Sequence, residues 1–266
     1  MTAPPRLPLR TRAAIFLRLF AVQGAWNYET MAGNGIAFAV EPALRLLPGG
    51  TRGEAYRSAM ARQGGYFNSH PYLAGVAVGA IARAELSFED PERIEKFRAA
   101  CCGPLGSVGD RLVWAGWLPA CSLLALASFG LGASPAGVAL LFLGSYNAGH
   151  VALRVWGLRV GYRDGLRVAP ALGAPLFRQG PAYVGKAAAV IGGIAIPLAI
   201  RGVIEPEQLV TSPGQHTSFG LLPWLPIVLA CAALGAAALT RLHGRAEGWR
   251  LAVVALAVFI LFSVAH

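Results

Sequence analysis

Three short segments of the chain hold residues whose types and spacing suit recognition chemistry. The first is Gln23-Gly-Ala-Trp-Asn-Tyr-Glu-Thr-Met31. Read as a helix at 100° per residue, it places Gln23, Asn27, Thr30 and Asn34 within about 60° of one another. Glu41 joins that face if the helix survives Gly33 and Gly35. Amides on an otherwise apolar helix hydrogen-bond hydroxyl groups, and the Trp26 ring suits the apolar face of a sugar. Glu29 lies off the stripe. A carboxylate at the centre of a membrane span costs about 2.5–3.5 kcal/mol, so Glu29 is expected to face protein, water or substrate. A polar contact between helices would produce the same pattern.

The second segment is Tyr66-Phe-Asn-Ser-His-Pro-Tyr72. Pro71 disfavours helix at His70, and Asn68 and Ser69 are turn formers. The spacing predicts a loop running into the apolar piece 72–82, where free amides, carbonyls and an Asn side chain suit a neutral polyol; an ordinary turn before a helix is the plainer reading. Nothing near His70 supplies the phosphate cradle or partner acid that a phosphoryl acceptor needs. The third is Gly103-Pro-Leu-Gly-Ser-Val-Gly-Asp110. Its glycines let a backbone approach another surface closely, and Asp110 suits the N-cap of a helix starting at Arg111. The spacing is not GxGxxG and no strand precedes it, so a nucleotide site is unsupported. No metal ligands or paired acids recur at useful spacing, and no cofactor is expected. Cys101, Cys102, Cys121 and Cys231 lack CxxC spacing and read as small hydrophobes rather than a disulfide or metal framework.

The elements that position these segments follow from the scarcity of charge. Charged residues are 14% of the 266, where soluble domains carry roughly 25%, and mean hydropathy is +0.53. Such a chain cannot cover a water-facing exterior, which points to an all-α integral membrane protein with several transmembrane helices plus re-entrant or interfacial helical segments. No Asp, Glu, Lys or Arg occurs from Leu112 to Leu153. That run is broken at Gly130–Pro135, so it reads as two spans, about 112–131 and 135–153. Further apolar blocks lie at 184–204, about 219–240 and 249–265. The pieces 13–22 and 72–82 are too short to cross. Segments 51–63 and 87–99 read as amphipathic helices, and the basic piece Arg154, Arg159, Arg163, Arg167 as an interfacial helix. The division expected is 1–110, mixed and motif-bearing, and 111–266, transmembrane, both within one structural unit.

The net charge of +10 would suit nucleic acid, but the arginines sit between apolar blocks. The positive-inside rule explains them better, with Arg6, Arg10 and Arg12 holding a retained N-terminus in the cytoplasm. No nucleic-acid partner is expected.

With these segments placed, the chain resembles the IID subunits of mannose/fructose/sorbose-family phosphotransferase systems. The resemblance rests on Gln23–Met31, Phe67-Asn-Ser-His-Pro71, Gly103–Asp110 with Trp114 following, and Gly157-Leu-Arg-Val-Gly-Tyr-Arg-Asp-Gly165, in order from about residue 15 to 170. The chain departs from the family pattern at Gly106-Ser107, at Ser69 and at Arg111. The resemblance implies a multi-pass subunit of the bacterial inner membrane that pairs with a IIC subunit. Soluble IIA and IIB components phosphorylate a hexose-type sugar at the expense of phosphoenolpyruvate, and IID itself is not phosphorylated. By the same resemblance Trp26, Asn27, Glu29, Asn68, His70 and Asp110 are the substrate-binding candidates, and no catalytic residue is expected. The competing classes are a membrane-embedded enzyme of lipid or isoprenoid metabolism, which would need clustered acids for a metal, and a membrane scaffold, which would not need an amide stripe.

Overall fold

Proline, glycine and charge divide the chain into helices. A computed structural model describes residues 5–204; the blocks 219–240 and 249–265, and Cys231, lie outside the described residues. Helix α1 (Leu9–Arg18) follows Pro8, whose carbonyl accepts from Arg12 N–H, and passes into a 3-10 turn at Leu19–Ala21. Helix α2 is Gly33–Leu44, α3 Glu54–Gln63 and α4 Ala74–Leu86. Helix α5 (Pro91–Gly109) starts from Asp90, whose carboxylate accepts from Glu92 N–H at 3.1 Å, with Pro91 in the first turn, where its missing N–H is harmless. The helix continues as a π-helical segment, Asp110–Trp117, into α6 (Leu118–Gly130). Helices α7 (Pro135–Asp164), α8 (Ala169–Leu172) and α9 (Pro175–Ile204) complete the described chain. No strand occurs among the described residues. Three helical stretches are long and apolar enough to cross a membrane: Pro91–Gly130, Pro135–Arg167 and Ala169–Ile200.

Several expectations are corrected. Residues 23–31 are not helical: the chain turns at Gly24 and Trp26, and α2 begins only at Gly33, so the stripe Gln23, Asn27, Thr30, Asn34 and Glu41 does not form. Asp110 caps no helix start. It lies inside the continuous stretch Pro91–Gly130, as do Gly103 and Gly106. The basic piece 154–167 is no separate interfacial helix but the end of α7 and the turn after it. Arg154 is buried there, and Arg159 and Arg163 are exposed.

The chain forms two compact units. Among the described residues the first comprises 5–115 and Tyr146–Pro181, and the second Gly116–Ser145 and 182–204. In the first unit α4 and α7 cross with their backbones touching. Gly75 and Gly79 on α4 face Gly157 and Gly161 on α7. A Cβ at Gly79 would lie 2.6 Å from the Leu158 carbonyl and 2.7 Å from the Tyr162 amide, and one at Gly161 would overlap the Val76 carbonyl. Small residues spaced by four give a helix one smooth face, which lets main chains approach this closely. Buried acids are matched. Glu41 receives Arg18 at 2.7 Å, Arg45 at 2.5 Å and the Tyr56 hydroxyl at 3.0 Å. Burial alone would raise the Glu41 carboxyl, but these three donors hold it below the usual range. Glu85 receives Arg62 at 2.9 Å and Gln63 at 2.7 Å, and Gln63 in turn receives Arg98 at 2.6 Å. In the second unit Gly130 packs on the Leu198–Ala199 backbone and Gly192 on Leu123. Leu124, Leu126, Phe129, Leu140 and Leu143 remain exposed there, as lipid-facing residues would be.

Candidate functional site

The loop before α4 is where the motif segments meet. Met31 pairs with Asn27 on one side and Phe67 on the other as isolated bridges. Ala32 N–H donates to the Phe67 carbonyl at 2.9 Å and Phe67 N–H to the Thr30 carbonyl at 3.2 Å. Met31 is held at φ +52°, a left-handed conformation costing a non-glycine residue about 1–3 kcal/mol. The third segment closes on the same loop. His70 N–H donates to the Leu105 carbonyl at 3.3 Å, Asn68 N–H to Cys102 Sγ at 3.5 Å, and Gly109 lies so close to the His70 ring that a Cβ would overlap it. The fourth segment is the face of α7 that crosses α4. All four therefore belong to the first unit.

Local chemistry explains why 23–31 is a loop. The Asn27 Oδ1 accepts from Glu29 N–H at 2.9 Å and Thr30 N–H at 2.8 Å, while its Nδ2 donates to Thr30 Oγ1 at 2.9 Å. The side chain thus takes amides that a helix would need. Trp26 is half exposed and meets Tyr28 edge to face at 4.9 Å. Glu29, Asn68 and Asp110 are exposed. Of the six sequence candidates, only His70 is deeply buried, at 2% exposure. Trp26, Asn27 and Glu29 share one loop, and that loop is bridged to the one holding Asn68 and His70. Among the described residues no hydrogen bond or ion pair joins Asp110 to the other five.

Around His70 lies a cluster that sequence reasoning missed. Tyr72 stacks on His150 at 4.9 Å and shares a 2.6 Å hydrogen bond with the Tyr146 hydroxyl. Trp114 is 4.9 Å from the His70 ring. The Arg154 guanidinium sits 4.4 Å over Tyr72 and 4.9 Å over Phe20, is 4% exposed, and meets no carboxylate among the described residues. Its Nε and Nη1 groups, His70 Nε2 and His150 Nδ1 are buried without hydrogen-bond partners there. Arg154 could have been noticed as the first charge after the uncharged run 112–153. Its burial depends on the α4–α7 crossing, which turns that part of α7 toward Tyr72.

Burial, reinforced by the Arg154 charge, pushes the His70 imidazole down to about 4. The ring is therefore neutral near pH 7. Its Nδ1 accepts from Tyr72 N–H at 3.2 Å, which leaves the proton on Nε2 as a donor. The sign of the linkage follows. An unfolded imidazole binds its proton near 6.5 and the folded one only near 4. Stability is therefore full above about pH 6.5 and falls as pH drops toward 4, by up to about 3 kcal/mol. Thermal unfolding of the detergent-solubilised chain at pH 7 and 4.5 measures this, and H70Q should remove that share of the difference.

The cluster presents N–H donors beside aromatic faces, which suits binding of hydroxyl groups rather than bond-making. Among the described residues no group of three or more His, Cys, Asp or Glu could hold a metal ion.

Residues 6–205 match the family described as "PTS system mannose/fructose/sorbose family IID component". The mannose-specific EIID component of Escherichia coli K12 is 30% identical over 171 residues, which is 62% of this chain and 59% of that protein. The fructose permease IID component of Bacillus subtilis is 30% identical over 175 residues, 63% and 62% respectively. The sorbose-specific EIID component of Klebsiella pneumoniae is 32% identical over 172 residues, 62% and 61%. The matched part thus spans about three fifths of these curated relatives. A chain of the cryo-EM complex of the mannose transporter ManYZ with microcin E492 shares the fold, with a TM-score of 0.53 and 23% identity over 98% of this chain and 97% of that one. The motif segments that converge on the His70 loop all fall within the matched residues, and this chain belongs to the mannose/fructose/sorbose family of phosphotransferase-system IID components.

Proposed function

We propose that the protein is the IID subunit of a sugar permease. It forms the translocation path with a IIC subunit in the bacterial inner membrane, with its N-terminus in the cytoplasm. Soluble IIA and IIB components pass phosphate from phosphoenolpyruvate to the incoming hexose-type sugar. The observation that carries this reading is the unpartnered set of His70 and Arg154 donors and the His150 Nδ1 acceptor, whose ring donates through Nε2 to Asn147, among Tyr72, Tyr146 and Trp114. Aromatic faces take the apolar side of a sugar ring, and buried N–H groups take its hydroxyls. The exposed Trp26, Glu29 and Asn68 lie on the two bridged loops and are proposed as contacts earlier on the path. Asn27 acts by holding its loop, and Asp110 is the most remote of the six. His70, buried, neutral and without a partner acid, serves as a binding group and not as a phosphoryl acceptor. The proposed recognition residues before position 110 are the bridged loops with His70 and Tyr72, and the later helices add Trp114, Tyr146, His150 and Arg154 besides the lipid-facing scaffold.

The test is uptake of labelled hexoses in cells lacking their own mannose-type permease, with the IIC, IIA and IIB components supplied. Accumulation as sugar phosphate is expected only when IIC and this chain are both present. E29Q and N68A should each lower the initial rate roughly tenfold, the scale of one lost charge-assisted or amide hydrogen bond of about 1.5 kcal/mol. Full uptake by both variants at normal complex levels would remove those contacts, and accumulation of unphosphorylated sugar would overturn the permease reading.

A further inference from the structure

The N-terminal segment and the end of α7 enclose a groove of about 520 Å³ that the sugar path does not use. Arg6 and Arg12 line one side, Arg159 and Arg163 the other, with Leu158 and Tyr162 at the base; no Asp or Glu lines it. Tyr162 donates its hydroxyl to the Pro5 carbonyl at 2.7 Å and so ties the two sides together. Arg163 is held by Asp164 at 2.6 Å. Arg6, Arg12 and Arg159 have no acidic partner among the described residues. Three uncompensated like charges around one groove repel each other unless an anion sits among them.

Two further observations say what anion. The uncharged run 135–153 of α7 measures about 28 Å at 1.5 Å per residue, which matches a hydrocarbon core of about 30 Å. Arg159 follows it by about 9 Å, within reach of the phosphate level for a side chain that extends back along the helix, and Arg163 stands one turn further out. The flank of α1 is apolar and exposed, with Leu9 77% and Leu17 66% accessible and Ala13 on the same face. Arg10 and Arg12 border that stripe. A helix patterned in this way lies in the membrane interface.

We propose that the groove is a binding site for the phosphodiester headgroup of an anionic phospholipid, with the acyl chains lying along the apolar flank of α1. The headgroup joins the N-terminal segment to the end of α7. The site stands apart from the sugar reading and does not depend on it.

The test is native mass spectrometry of the full chain in detergent, with added phosphatidylglycerol, phosphatidylcholine or inorganic phosphate. Wild type is expected to retain phosphatidylglycerol about tenfold over phosphatidylcholine, the scale of a few interfacial arginines. The double variant Arg12→Gln with Arg159→Gln should fall to the phosphatidylcholine level, and Arg12→Lys with Arg159→Lys should stay near wild type. Arg52→Gln with Arg57→Gln, which removes two exposed arginines away from the groove, should change nothing. Unaltered retention by the Gln pair, an equal loss in the Arg52 and Arg57 pair, or displacement of the lipid by millimolar inorganic phosphate would overturn the proposal. Size-exclusion profiles of all variants show that each is folded.

Discussion

Gly79→Leu and Gly161→Leu are expected to leave almost no monodisperse protein, a loss of more than about 3 kcal/mol each. The reason is what the new side chain would strike. At Gly79 the first added carbon falls 2.6 Å from the Leu158 carbonyl and 2.7 Å from the Tyr162 amide; at Gly161 it overlaps the Val76 carbonyl and lies 3.0 Å from the Ala80 amide. These are main-chain atoms in the middle of helices. They cannot yield as a flexible side chain can without breaking the hydrogen-bond ladder. Overpacking against movable neighbours costs about 1–3 kcal/mol, and a rigid backbone places the cost at or above the top of that range. Separating α4 from α7 would also pull Tyr72 from His150 and Arg154. The matched control is G103A with G106A, where an added Cβ meets nothing within 4 Å. That variant should be neutral or gain up to about 2 kcal/mol over the two positions, because alanine is the better helix former. Size-exclusion recovery and thermal unfolding check both, and wild-type recovery of Gly79→Leu would show that the crossing is not tight.

Arg154→Met is expected to do the reverse: abolish transport while leaving the fold as stable as before, or more stable by about 1–2 kcal/mol. The guanidinium is buried over Tyr72 and Phe20 with Nε and Nη1 unpartnered and no carboxylate beside it. The cation–π contacts are worth about 0.5–2 kcal/mol. Leaving charged donors unsatisfied costs about 1–3 kcal/mol or more. Methionine has a similar length, keeps contact with both rings and removes the unmet donors. A residue kept at such a cost fits a binding role better than a structural one. Uptake should fall more than tenfold, and R154K should not restore it fully, because an ammonium does not reproduce the planar fork. A stability loss of several kcal/mol with normal uptake would make Arg154 a structural pin instead.

Much of the architecture was legible in the order of residue types. The Leu112–Leu153 charge gap, broken at Gly130–Pro135, marks the transmembrane helices because an isolated charge in hydrocarbon costs several kcal/mol. That penalty is local and needs no knowledge of the rest of the fold. Pro71 and Asn68 marked the loop before α4 for similarly local reasons, and the family pattern followed from the order of the motifs. The same local reading failed at 23–31. A helical face was as consistent with the spacing as a turn, and Asn27 decided the matter by capturing the amides of Glu29 and Thr30. The Gly75/Gly79 and Gly157/Gly161 spacings were also visible, but their meaning depended on a crossing between segments some eighty residues apart.

What the sequence by itself determined was membrane residence, the main helices and the family, since each rests on local hydrophobicity, backbone preference or linear motif. What only the tertiary structure decided was the site's composition: which side chains gather around His70, that Arg154 belongs with it and not with the exposed arginines after it, and that Asn27 is spent on its own loop. Those outcomes depend on close packing between distant segments, where a difference of one methyl group at Gly79 or Gly161 decides whether two backbones can touch.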